Sequence, residues 1–176
     1  MSIVLVGGLV LMALNTVGSA AVAQARTGDS GRGQLLALAL MSEIMKTSYA
    51  DPESPGKVFG PEADEITATR KYFDDVDDYQ DWKESPLVDS AGTAIPDLPS
   101  DWARTVNVQY ANTSNLKISA VTDTGIKRII VTVFHRGQTV ANLVALRTGD
   151  AVGPGTIIVA PVDPETLQVK QGNQIQ

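Results

Sequence analysis

The sequence predicts an α+β fold: a long N-terminal helix, apolar in its first half and amphipathic in its second, packed on a small antiparallel β-sheet of three to four strands. Three observations carry this expectation. Residues 1–25 contain no Asp, Glu, Lys or Arg. Ala37, Met41, Ile44, Met45 and Ser48 recur at helical spacing. Val106, Val108 and Tyr110, and then Ile129, Val131 and Val133, recur at the two-residue spacing of a strand.

The first element is the apolar run. Seventeen of the first 25 residues are Ala, Val, Ile, Leu or Met. A helix needs about 20 apolar residues to cross a bilayer core, so residues 3–23 are long enough to span one. Arg26 then falls where the headgroups begin. The side chains expected to pack in lipid or in a helical bundle are Ile3, Val4, Leu5, Val6, Leu9, Val10, Leu11, Met12 and Leu14. Two other readings stay open. One is a cleaved secretory signal, with Ala21-Val22-Ala23 as the small-residue site before Gln24. The other is a buried core helix, which would need a larger surrounding core because no face of the run is charged.

Residues 26–33 are polar and rich in glycine, and the sequence predicts a break there, with Asp29 or Ser30 capping a new helix. From Gln34 to Tyr49 the pattern is amphipathic, with Ser42, Glu43, Lys46 and Thr47 opposite the apolar stripe. Asp51-Pro52 ends the helix. The chain thus divides into an apolar helix (1–25), an amphipathic helix after a Gly-rich break (26–50), an acidic loop segment (51–103), a sheet (104–160) and a tail (161–176).

Charge follows the same division. Residues 51–103 hold fourteen acids against four bases, while the formal net charge of the 176-residue chain is −6. That balance argues against nucleic acid as a partner, because neutralising phosphates requires clustered Lys and Arg. The chain has no cysteine, which excludes disulfides, thiol catalysis and zinc-thiolate sites. It has one histidine, His135, which leaves little room for a His-rich metal centre.

In the body, Pro and Gly mark loops at 51–61 and 86–99. Strands are predicted around 106–110 and 126–134, the second covered on both faces. His135-Arg-Gly-Gln138 supplies a turn and residues 139–147 a return strand. Residues 156–160, between Gly-Pro-Gly and Pro161, are expected as a fourth, edge strand.

Several constellations carry possible chemistry. Asp74, Asp75, Asp77, Asp78 and Asp81 supply the carboxylates that calcium prefers, and the first four are the candidate ligand set. The EF-hand pattern is not met. The competing reading is a solvated acidic turn, anchored by Phe73, Val76, Tyr79 and Trp82 with its carboxylates facing water. Gly28-Asp29-Ser30-Gly31 resembles the nucleophile motif of trypsin-like proteases over four residues, but Arg32 follows it and the sole histidine comes after the serine, so a flexible polar break is expected instead. His135, beside Arg136, is expected as a surface turn residue. Asn112-Thr-Ser fits a glycosylation sequon. No second element completes a hydrolase site, and the expectation is a structural protein rather than an enzyme.

Tyr72-Phe-Asp-Asp-Val-Asp-Asp-Tyr-Gln-Asp-Trp82 resembles a segment of MSHA-type minor pilins and related PilV-like proteins. Ile126-Lys-Arg-Ile-Ile-Val-Thr-Val-Phe134 and Val144-Ala-Leu-Arg-Thr148 are similar to that family's strands, and Met1-Ser-Ile-Val-Leu-Val-Gly-Gly-Leu-Val resembles its apolar helix. The family's basic leader and Gly-Phe-Thr-Leu-x-Glu motif do not stand in this sequence, so Met1 is expected to be an internal start. The resemblance implies a type IV pilin-like subunit, a minor pilin or pseudopilin of a type II secretion system. It would be held in the inner membrane by a single pass with its head in the periplasm, and then assembled into a pilus or pseudopilus. It further implies other pilin subunits, an inner-membrane assembly platform and, for a longer precursor, a prepilin peptidase as partners. The alternative is a secreted or periplasmic binding module with a cleaved signal, using the acidic segment to hold Ca2+.

Overall fold

The computed structural model describes residues 2–52, 59–62, 65, 69–149 and 157–158, with side chains described from Ala20 onward except those of Val22 and of residues 157–158. A single helix, α1, runs from Ser2 to Ile44. Six strands follow: β1 (Lys83–Glu84), β2 (Trp102–Asn112), β3 (Asn115–Ser119), β4 (Ile126–His135), β5 (Gln138–Thr148) and β6 (Ile157–Ile158). All pairings are antiparallel, in the order β1-β2-β4-β5-β6, with β3 folded back on the end of β2. Two short 3-10 turns, Arg70–Tyr72 and Asp77–Tyr79, shape the acidic segment.

The three long strands arise from the alternation read in the sequence. Val106 and Val108 of β2, Ile129, Val131 and Val133 of β4, and Ala141, Leu143 and Ala145 of β5 all point to one face and are buried. The residues between them, such as Ile130, Thr132 and Val144, are half-buried on the other face. The β4–β5 hairpin turns on Arg136 and Gly137, both at positive φ (51° and 73°). That is the turn whose twist matches paired strands. Ala37, Leu40, Met41 and Ile44 of α1 cover the apolar face. Each of the larger three stabilises the fold by about 2 kcal/mol through burial.

Two expectations are corrected here. The first is the architecture of a long helix laid on a small sheet of three to four strands. The body is sheet-rich, with six antiparallel strands rather than three or four, and where its side chains are described α1 packs on the sheet from Gly33 to Ile44. The extra strands β1 and β3 are short, without period-2 alternation, and exist because the long edge of β2 offers them partners. The helix also continues through residues 26–33, where a break was expected. Glycines at 28, 31 and 33 cost a helix about 1 kcal/mol each. Anchoring to the sheet by Asp29, Arg32 and Gly33 offsets that cost. At its other end α1 stops at Ile44, short of Asp51-Pro52, in a turn where Thr47 Oγ1 donates to the Ile44 carbonyl at 2.8 Å.

The second correction is the single-pass inner-membrane location. Among the described residues no helix is long and apolar enough to cross a membrane. Where its side chains are described, α1 carries Arg26, Asp29, Arg32 and Glu43, and its buried apolar residues are committed to the sheet. Ile3, Val4, Leu5, Val6, Leu9, Val10, Leu11, Met12 and Leu14 lie in α1, but their side chains fall outside the described residues. Residues 161–176, expected as a tail, also lie outside them. The expected edge strand at 156–160 appears as β6 beside β5.

Candidate functional site

The sheet's buried face is not wholly apolar. Arg104 of β2 and Lys127 of β4 lie on it at 2% and 1% exposure. A buried cation needs a partner, and the acidic segment supplies one for each.

Around Arg104, the Glu84 carboxylate of β1 accepts from Arg104 Nε at 2.7 Å and from Arg70 Nη1. Arg70 Nε donates to Glu43 of α1 at 2.7 Å. Both guanidiniums also donate to the Val88 carbonyl, at 2.8 and 2.7 Å, and both lie over the Trp82 ring. Burial, largest among the causes, holds the Arg104 guanidinium below the usual arginine range. Tyr79 donates to Glu43 at 3.3 Å, and burial followed by the Glu43 charge pushes its phenol well above the usual range. Glu43, predicted to face solvent opposite the apolar stripe, thus ties the end of α1 to the acidic segment. An open cleft of about 360 Å³ lies over this network between Glu43, Lys71, Phe73 and Ser90.

At the other end of the sheet, Lys127 Nζ meets Asp77 Oδ1 and the Tyr49 carbonyl, and lies 4.5 Å from the Tyr49 ring centroid. Of the four expected calcium ligands, Asp75, Asp77 and Asp78 are buried rather than turned to water. Asp75 Oδ1 accepts from the Asp77 amide at 2.6 Å, and Asp78 Oδ2 accepts from the amides of Asp74 and Asp75, both at 2.9 Å. The anchors are placed as read: Val76 and Tyr79 are in the core, with Phe73 and Trp82 packed against it. The helical periodicity expected to carry the carboxylates outward is absent, because the segment is a brief 3-10 turn pinned to Ser48 by two backbone hydrogen bonds. Burial, followed by the neighbouring Asp77, pushes the Asp75 carboxyl up to about 8. Burial raises Asp78 as well.

Among the described residues, the carboxylates grouped closely enough for a hard cation are Glu62, Glu65 and Asp78, whose ligand atoms lie within 4.8 Å of one another. Only Asp78 belongs to the expected set. Sequence reasoning passed over Glu62 and Glu65 because they lie in a separate loop. Burial, followed by the side chain of Glu62, pushes Glu65 up to about 8, so a shared proton can relieve the same repulsion.

The remaining feature is the free part of α1. Among the described residues, Ala20, Ala21 and residues 23–28 are exposed. Leu35 and Leu38, opposite the packed stripe, are 68% and 40% exposed. The glycosylation sequon lies at the end of β2, where Asn112 Oδ1 is engaged by the Ser114 and Asn115 amides. The Gly28–Arg32 segment is helical, and His135, expected as a surface turn residue, is instead only 11% exposed in its side chain.

In comparisons with known proteins, no family model, no curated protein and no solved structure matches this chain.

Proposed function

We propose that this chain is a structural subunit that associates with like subunits through α1, a pilin-like component of a type IV pilus or type II secretion pseudopilus. The observation that carries the reading is the mismatch between the helix and its cover. At about 1.5 Å per residue, a 43-residue helix is about 65 Å long. Where its side chains are described, from Ala20 onward, the sheet buries it from Gly33 to Ile44, while Ala20, Ala21 and residues 23–28 are exposed. A helix with no cover of its own is stabilised mainly by tertiary packing, and Leu35 and Leu38 present apolar surface on the side away from the sheet. A structural role is further supported by the buried charges, since Arg70, Arg104 and Lys127 are each taken up by carboxylates of the same fold. The partners are other subunits of the same class. The resemblance of the 72–82 segment to minor pilins rests on sequence alone.

Because the chain has no cysteine, a single Ala25→Cys substitution gives a unique probe. In the full chain it is expected to form cross-linked dimers and larger species, and Leu35→Glu with Leu38→Glu is expected to suppress them while circular dichroism stays unchanged. A chain that remains monomeric and uncross-linked at high concentration, alone and alongside pilin subunits, would overturn the reading.

A second reading, a binding module that takes a hard cation, is favoured by the three carboxylates of Glu62, Glu65 and Asp78. Calorimetric titration with Ca2+ on the chain and on Glu65→Gln separates it from the first.

A further inference from the structure

The Gly28–Arg32 segment and His135 play no part in the assembly reading, yet the fold sets them against each other at one end of the sheet. His135 closes β4, and its ring stacks on Trp102, the first residue of β2, with centroids 4.4 Å apart and planes 11° apart. Its Nδ1 lies 3.0 Å from Asp29 Oδ2 on α1, and its Nε2 lies 3.3 Å from Asp101 Oδ2, just ahead of β2. The other charged groups around it are Arg136 and Arg32. Arg136 Nε donates to the same Asp101 oxygen at 3.0 Å. Arg32 lies 5.9 Å from the Trp102 ring centroid and donates to the Asp97 carbonyl at 2.8 Å.

A neutral imidazole has one N–H and one lone pair, whereas the imidazolium has two N–H groups. Between two carboxylates, the neutral ring serves one and turns a lone pair toward the other. The charged ring serves both. We propose that protonated His135 is a clip that fixes α1 to the sheet by bridging Asp29 and Asp101, and that loss of its proton releases the Asp29 turn of the helix. Among the described side chains, that turn is the first of α1 to meet the sheet after the exposed Ala20, Ala21 and residues 23–28, so the clip sets the direction of that exposed stretch relative to the body. The consequence for subunit packing rests on the assembly reading. The clip itself does not.

The sign follows from the charges. The bridge is complete while the ring carries both N–H groups and is lost when one of them is given up, so it belongs to the more acidic side of the comparison. On the acid side it persists until the carboxylates protonate. Arg136, and after it the His135 charge, hold Asp101 below the usual carboxylate range.

The test is a pair of spin labels on the isolated full chain, at Ala25→Cys and Lys117→Cys, with distances read at about pH 5.5 and about pH 8. The expected result is a narrow distribution at the lower pH that at least doubles in width at the higher one. Asp29→Asn keeps the His135–Trp102 stack and removes only the helix-side charge. It is expected to be broad at both pH values, as is His135→Gln. A wild-type distribution that does not change with pH, or one whose change survives in Asp29→Asn, overturns the proposal. Isolated chains suffice, so this outcome is independent of whether the chain assembles.

Discussion

Gly33 of α1 lies directly against Val140 of β5: a Cβ built on Gly33 would stand 2.7 Å from Val140 Cγ2 and 3.3 Å from Ala141 Cβ. The absence of a side chain there allows the helix to settle on the sheet. Gly33→Ala gains about 1 kcal/mol of helix propensity, but overpacking of this kind costs about 1–3 kcal/mol. The expected outcome is a net loss of about 1 kcal/mol in urea denaturation, recovered when Val140→Ala is added. A stabilised Gly33→Ala chain would show that the helix does not sit this close.

Glu84 is the common partner of two buried arginines. Glu84→Ala leaves Arg70 and Arg104 facing each other beneath Trp82, at a cost of about 3–5 kcal/mol. Converting Arg104 to Met in that background is expected to return much of the loss, because Arg70 keeps its pair with Glu43 and the uncompensated charge goes with Arg104. Thermal unfolding of the single and double variants checks this.

Asp75 makes the chain lose stability as pH rises. Its folded carboxyl is raised to about 8, while an unfolded Asp titrates near 3.9. Between these values the native state holds a proton that the unfolded state has released, so stability falls from about pH 4 to about pH 8. Asparagine retains the Oδ1 that accepts from the Asp77 amide. Asp75→Asn is therefore expected to flatten the profile and raise the melting temperature by a few degrees at pH 8. Melting curves across pH decide it, and an unchanged slope would place the titration elsewhere.

The two faces of α1 respond oppositely to substitution. Leu40→Ala removes a fully buried side chain and is expected to cost about 2–5 kcal/mol. Leu35→Lys with Leu38→Lys is expected to stay within about 0.5 kcal/mol of the parent in dilute monomer. Denaturation of both variants measured side by side tests the assignment of the free face.

Much of the frame could be read directly. Val106, Val108, Ile129, Val131 and Val133 alternate, and all are buried on one face. Ala37, Met41 and Ile44 fall on one helical stripe, and all meet the sheet. The glycines at 28–33 misled, since a local rule treats glycine as a break. Gly33 instead marks a close approach to a strand more than a hundred residues away, and no local rule contains that strand. The acidic segment misled for a related reason. Asp75, Asp77 and Asp78 look like a water-facing cluster until Lys127 and the turn's own amides are brought to them.

Local sequence alone determined the three long strands and the packed stripe of α1, through apolar periodicity, and the sharp Arg136-Gly137 turn, through its turn residues, because each depends on neighbours within a few positions. Only the tertiary structure decided that the helix runs unbroken, that Arg104 and Lys127 lie inward among carboxylates, and that Asp29 meets His135. A sequence pattern states which side chains share a face. Which charge stands opposite that face depends on chain segments dozens of residues apart meeting in a space where water cannot compete for it.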